Sequence, residues 1–472
     1  MSREAIRLVA PEDFELPQLH GRRLPSRSFV ETYFDTADSR LARAGFSLRR
    51  KVENGKGMWQ LSVRSDGAAL DVEAPGGPKM PPEDLQELVT AASGGFTLGA
   101  VARLRTSVGG IRVRRGSHSL AKVEVASIAL LDGQRTVREV NEIELEPLAA
   151  DAKELGRIEK ALRKAGAKRA DATTTTYRRA VDGTAPVEAP APTAALERLR
   201  GFFREQYARM LAHDPGVRLN ANPEDLHQLR VAVRRLRSVL RTAGDVVDEA
   251  WAERLRDELS WLGDELGTAR DLDVLLAHLR KEVGQLDPAD RRAMRPMLNK
   301  LEREREAAQG RLLETLRGER YLGLLATLEG AVAAPPAGAD GSLVDAARAE
   351  FGRLRKAMTK LGQDPSDEAL HKARIRGKRA RYALELVEDD LGKAASRVIT
   401  RAKGFQDVAG EYQDAVVAEA RIRKLAQESR SRRASLGAGI LVGGQRERRR
   451  LAAEALPEAW ARLDDAAAKA WG

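Results

Sequence analysis

The sequence predicts an α+β fold, with an antiparallel β half ahead of an all-α half. Three observations carry this. Short alternating segments bounded by Gly, Asn and Asp run from Phe29 to Glu146. After residue 194, apolar residues recur at three- and four-residue spacing. The two regimes meet at GTAPVEAPAPT, 183–193, where three prolines among small residues mark an extended linker. A period of two is the mark of a strand, and a period near 3.6 that of an amphipathic helix. The expected domains are 1–182 and 194–472.

The expected strands are 29–36, 46–52, 58–64, 111–115, 120–131 and 139–146. KELGRIEKALRKAG, 153–166, reads as an amphipathic helix closed by glycine. In several strands the second face is charged. Arg49 and Lys51 share one side of their strand, as do Glu142, Glu144 and Glu146. That pattern fits a solvated outer face or a closed barrel with a charged lumen, and alternation alone does not choose. Beyond the linker, 194–211, 224–244, 251–267 and 270–284 read as helices. AAPPAGADGS, 333–342, interrupts the helical half and divides it into 194–332 and 343–472. SRSRRASLGAGILVGGQRERRR, 429–450, reads equally as a basic loop or a glycine-containing helix.

Composition narrows the function classes. The chain has 472 residues, 81 Lys+Arg against 70 Asp+Glu, and aromatics at only 4%, which favours long helices over large β-sandwiches. No cysteine is present, which excludes disulfides, thiolate catalysis and Cys-ligated zinc or iron–sulfur centres. No signal-like run opens the sequence and no apolar stretch approaches spanning length, so a cytoplasmic protein without membrane contact is expected. The net charge of +11 permits a polyanionic partner without identifying one.

The arrangement of the cations says more. HQLRVAVRRLRS from His227 aligns without gaps to HKARIRGKRARY from His371, 144 residues later. Gly267 and Asp271 match Gly410 and Asp414 at an offset of 143. Two motifs at nearly one offset indicate a duplicated unit. His227, Arg230, Arg234 and Arg237 stand at i, i+3, i+7 and i+10, a stripe about 80° wide on a helix. His371, Arg374, Lys378 and Arg381 repeat it, and few carboxylates interrupt either run. Arginine forks suit phosphate oxygens, and a row of cations can follow the phosphates of an extended chain.

These duplicated histidine–arginine helices resemble the CHAD domain, the conserved-histidine α-helical domain, over about 194–472. The resemblance implies two pseudo-symmetric helical bundles that bind inorganic polyphosphate, with polyphosphate granules as a further partner. It implies grip by His227, Arg230, Arg234, Arg235 and Arg237 in one half. In the other it implies His371, Lys372, Arg374, Lys378, Arg379 and Arg381, with Arg270 and Lys403 from neighbouring helices.

The N-terminal half resembles the CYTH domain, a triphosphate-tunnel fold, through YFDTADSRLARAGFSLRR (33–50), VARLRT (101–106) and NEIELE (141–146). That implies an antiparallel β-barrel with Arg49, Lys51, Arg64, Arg103 and Arg105 facing an anion in the tunnel. Active members also need carboxylates for Mg²⁺ or Mn²⁺. Here only Glu142, Glu144 and Glu146 remain as candidate ligands. Lys122 and Ala126 stand where acidic residues are common, and the threonines of ATTTTYRRA (172–180) stand where a lysine is usual. The expectation is a polyphosphate binder that needs no cofactor, with a catalytically degenerate barrel. A metal-dependent triphosphatase is the alternative. A nucleic-acid binder is less favoured, because the basic stripes lack interleaved aromatics apart from Tyr382.

Overall fold

The computed structural model describes residues 5–65, 67–170, 193–339, 341–362 and 365–471. These fall into two compact units, 5–170 with Leu211–Leu219, and 193–210 with 220–471. Of the expected linker 183–193 only Thr193 is among them, and the threonine segment 172–180 lies outside the described residues.

The first unit is a ten-stranded antiparallel sheet. Its strands are β1 (Ile6–Ala10), β2 (Gly21–Arg23), β3 (Arg27–Asp35), β4 (Phe46–Glu53), β5 (Lys56–Ser65), β6 (Ala68–Ala74), β7 (Gly99–Arg115), β8 (His118–Asp132), β9 (Arg135–Pro147) and β10 (Lys168–Arg169). The order is β10-β1-β9-β8-β7-β3-β4-β5-β6, with β2 on β7. β4 turns into β5 through Asn54 and Gly55, both at positive φ, as a tight two-residue hairpin demands. IRVRR proves to be the end of a 17-residue strand, β7, rather than a separate element. Three helices flank the sheet: α1 (Arg40–Arg43), α2 (Glu83–Ser93) and α3 (Ala152–Lys164).

Two apolar clusters hold this unit. Phe34, Phe46, Leu48, Trp59, Leu61 and Val63 pack with Leu85, Leu88 and Val89 of α2. Leu8, Val123, Ile143 and Leu145 pack with Leu155, Ile158 and Leu162 of α3. Asp35, buried at the end of β3, accepts from the amides of Thr36, Leu41 and Ala42 at 2.7, 2.9 and 3.0 Å. This carboxylate satisfies two open N–H groups at the start of α1, and Thr36 Oγ1 accepts a third, from Arg40, at 3.0 Å.

In the second unit the duplication becomes geometry. The helices are α4 (Ala194–Leu219, of which Leu211–Leu219 belong to the first unit), α5 (Pro223–Ala243), α6 (Glu249–Val283), α7 (Pro288–Arg317), α8 (Glu319–Ala333), α9 (Leu343–Thr359), α10 (Asp367–Leu386), α11 (Glu388–Leu391), α12 (Lys393–Gln427) and α13 (Arg432–Trp471). The pairs α5/α10, α6/α12 and α7/α13 begin at 223 and 367, 249 and 393, 288 and 432, each 144 apart. The segments 251–267 and 270–284 form one 35-residue helix, α6; Gly267 does not break it. The segment 429–450 is largely helical, within α13.

α5 and α10 pack against each other. Leu226, Leu229, Val233, Leu236 and Leu240 of α5 are buried, as their period requires. On α10 the close approach falls at Gly377. A Cβ there would stand 2.9 Å from the Phe405 ring of α12, and the Gly377 carbonyl accepts from Gln406 Nε2 at 2.9 Å. A Cβ at Gly410 of the same helix would meet nothing within 4 Å. Gly377→Ala is therefore expected to destabilise the protein by about 1–3 kcal/mol through overpacking. Gly410→Ala is expected to be neutral or to stabilise by up to ~1 kcal/mol. Chemical denaturation of both variants checks this, and equal effects would contradict it.

Candidate functional site

Side chains from α5 and α10 build one cluster rather than two separate stripes. Asn222 caps α5, accepting from the Glu224 amide at 3.0 Å, and Ser366 caps α10, accepting from the Ala369 amide at 3.3 Å. One turn beyond each cap stand His227 and His371, both half-buried. The next inward residues are Arg230 and Arg374. Arg230 lies 3.2 Å from Asp271 on α6, and Arg374 lies 4.0 Å from Asp414 on α12. The ion pair is duplicated along with the helices. Gly267 sits one turn before Asp271, and a Cβ there would come within 3.5 Å of the Arg230 fork.

Electrostatics shows how close the cations stand. Lys378 is pushed down to about 7, first by burial and then by Arg234, Arg374 and Arg230. Burial also lowers Arg230, with Arg234, Arg270 and Arg374 adding repulsion against Asp271. Arg374 is lowered by burial and by Arg234, opposed by Asp414 and Asp271. Burial likewise lowers His227; Glu224 opposes this, while Arg270, Arg234 and Arg230 reinforce it. Residues from both halves thus share one field. Its cations, Arg230, Arg234, Arg270, Arg374 and Lys378, outnumber the carboxylates acting on them and on His227, which are Asp271, Asp414 and Glu224.

Below this cluster lies a neutralised layer. Tyr382 is 1% exposed, and its hydroxyl accepts from Arg234 Nε at 2.9 Å. Arg234, Arg235 and Arg381 lie 5.9, 5.9 and 4.8 Å from its ring centroid. Arg235 pairs with Glu385 at 3.1 Å and Glu205 at 3.7 Å, and Arg381 pairs with Glu385 at 3.4 Å. Arg237 donates to Ser260 Oγ at 3.1 Å. Arg379 is lowered by burial and by the cations Arg241, Arg237 and Arg376, against Glu350. Buried nitrogens without a partner remain in the two layers: Nε of Arg374, of Arg235 and of Arg381, together with Nδ1 of His371.

Two expected site residues stand apart. Lys372 points to solvent and pairs with Glu368 at 2.6 Å. It follows His371 by one residue, ~100° around the helix from the stripe. Lys403 is exposed on α12 and is not among the strongest charges acting on Arg374 or Lys378. Asp271, Asp414, Glu385 and Tyr382 belong to the cluster although none was expected as a site residue. The matched aspartates at an offset of 143 were the available signal.

In the sheet unit, strands β1 and β3 to β9 line a cavity of about 400 Å³. Arg49 and Arg64 line it as expected, joined by Arg7 and Arg27. Lys51 shares the inner face of β4 and stacks 4.0 Å from the Phe29 ring. Arg103 and Arg105 do not enter. Thr106 and Val108 face the cavity, so period two turns both arginines outward, where they are exposed. The cavity cations are met by carboxylates. Arg49 pairs with Glu31 at 2.9 Å, Arg27 with Glu124 at 3.6 Å, and Arg64 with Asp71. Lys122 pairs with Glu124 at 2.7 Å and approaches Glu146 to 3.9 Å. The lining holds four arginines against five carboxylates, so it has no cationic excess. Burial raises Glu31 above the ordinary carboxylate range despite Arg49 and Lys51.

The metal set expected from Glu142, Glu144 and Glu146 does not form. Alternate residues of one strand stand roughly 7 Å apart and run along it rather than converging. Among the described residues no group of three His, Asp or Glu side chains is arranged to hold a metal ion. Nor is any helix among them long and apolar enough to cross a membrane.

Comparison with known proteins follows these two units. The uncharacterized protein Rv2226 of Mycobacterium tuberculosis is 29% identical over 431 residues, covering 83% of this chain and 81% of that protein. The crystal structure of the CHAD domain from the plant Ricinus communis is 28% identical, with a TM-score of 0.46; it covers 59% of this chain and 95% of its own. HpAC1 from Hippeastrum, described by a dominant triphosphatase activity, is 19% identical, with a TM-score of 0.25; it covers 39% of this chain and 99% of that one. The family model of the CHAD domain matches residues 201–423, a span that includes α5, α10 and both Arg–Asp pairs. Residues 201–423 of this chain are a CHAD domain.

Proposed function

We propose that this protein binds inorganic polyphosphate at the α5–α10 cluster, without a metal ion and without turnover. One observation carries the reading: Arg230, Arg234, Arg374 and Lys378 from two helices stand together half out of water, and burial first, then the three arginines, push Lys378 down to about 7 against Asp414. Like charges held half out of water destabilise the free protein, and a polyanion relieves them. The Nε of Arg374, buried without a partner in the free protein, is a further donor for a phosphate oxygen that draws the guanidinium outward. Nucleic acid is disfavoured for a structural reason. The one aromatic of the stripes, Tyr382, is buried beneath the arginines and offers no face for base stacking. Hydrolysis in the sheet unit is disfavoured because its cavity lacks both a cationic excess and a converging carboxylate set.

Two tests follow from the electrostatics. Titration of labelled polyphosphate should give at least tenfold weaker binding for Arg230→Gln/Arg374→Gln, and a smaller loss for His227→Ala/His371→Ala. If about four phosphates are engaged, wild-type affinity should fall about fiftyfold between 50 and 200 mM salt, taking the single-strand slope as a guide. Affinity that ignores both salt and the arginines refutes the reading.

The second test uses protons. Bound phosphate favours charged Lys378, so the affinity constant should fall as pH rises through about 7. In the free protein the sign is opposite. Between about 7 and its ordinary 10.5, Lys378 binds fewer protons folded than unfolded, so stability should rise with pH over that window. Lys378→Met should therefore raise the thermal midpoint of the free protein at pH 6 while weakening polyphosphate binding. A lower midpoint at pH 6 would contradict the assignment.

A further inference from the structure

We infer that Asp271 and Asp414 are built-in counter-anions of the α5–α10 cluster, which an incoming polyanion has to displace; this rests on the polyphosphate reading above. The geometry is duplicated. Each carboxylate comes from the helix after its basic helix, α6 after α5, and α12 beyond the short α11 after α10. The aspartates are 143 residues apart, one short of the offset between the helix starts, yet each still reaches the matching arginine.

Three features make them displaceable rather than structural. Their side chains are 67% and 56% exposed, against 31% and 20% for Arg230 and Arg374. The contacts, at 3.2 and 4.0 Å, are single and loose rather than bidentate forks. They also leave the cluster unsaturated, since Arg374 Nε remains buried without a partner. Glu385, by contrast, holds two arginines, Arg235 and Arg381, and is only 15% exposed. A phosphate that takes the arginine forks lies where these aspartate carboxylates now lie, so their charges oppose it until they swing out. The pairs thus set the affinity threshold of the site and shield its cations from small anions.

The test compares wild type, Asp271→Asn/Asp414→Asn and Arg230→Gln/Arg374→Gln. Each is titrated with sodium polyphosphate of one chain length and with orthophosphate, in EDTA and again in Mg²⁺. The asparagine variant is nearly isosteric and exposed, and its thermal midpoint is recorded alongside. Expected is roughly tenfold tighter polyphosphate binding by the asparagine variant in EDTA, a steeper salt dependence, and measurable orthophosphate binding that wild type lacks. Unchanged or weaker binding, with the arginine variant still impaired, overturns the inference alone and makes the aspartates orienting groups. A loss confined to Mg²⁺ makes them metal bridges and also overturns it. If the arginine variant binds like wild type, the polyphosphate reading of this site falls first, and the inference with it.

Discussion

Repulsion among Arg230, Arg234, Arg374 and Lys378 is the constraint to which the helical unit answers. Holding four cations together, half out of water, opposes folding. The opposing stability comes from beneath. Leu226, Leu229, Val233, Leu236 and Leu240 anchor α5, while Leu370, Ala373, Ala380 and Leu384 anchor α10. Gly377 lets α10 approach Phe405 closely, which fixes where the α10 cations stand. The deeper arginines are neutralised: Arg235 and Arg381 share Glu385 above a common Tyr382. Arg230 and Arg374, further out, meet the exposed Asp271 and Asp414. The fold therefore stabilises its inner charges and leaves the outer ones short of counter-charge, as a site for a polyanion requires.

The sheet unit uses similar residues to the opposite end. Arg27, Arg49 and Arg64 face a cavity, yet each has a carboxylate partner on a strand of the same wall. Glu31 is buried deeply enough for its pKa to rise, which marks a polar interior closed on itself. One unit holds unspent positive charge, while the other has none to spare.

The difference explains what could be read from sequence. Amphipathic period and internal offset are local signals, so the α5 and α10 stripes and their pairing at 144 were legible. The spacing divides 251–284 into two helices after Gly267, and glycine often ends one. In α6 Gly267 instead faces the Arg230 side chain, where a Cβ would make ordinary contact with the fork at 3.5 Å. Arg103 and Arg105 were expected in the tunnel by resemblance, whereas period two pairs them with the exposed face of β7, opposite the buried Leu104, Thr106 and Val108. Lys372 stands off the stripe because one position along a helix is a large rotation. Neutralisation was the least legible property. Arg235 finds Glu385 on a different helix 150 residues away, and no local pattern announces it.

The central claim is that four converging cations share a field which a polyanion relieves. Lys378 is the natural reporter, because its proton responds directly to that field. The most direct measurement is an NMR titration of the Lys378 side chain, selectively labelled at Cε, in the free protein and with saturating polyphosphate. The account predicts a free pKa near 7 and a rise of more than one unit on binding. A free value near the ordinary 10.5 that polyphosphate leaves unmoved would contradict it.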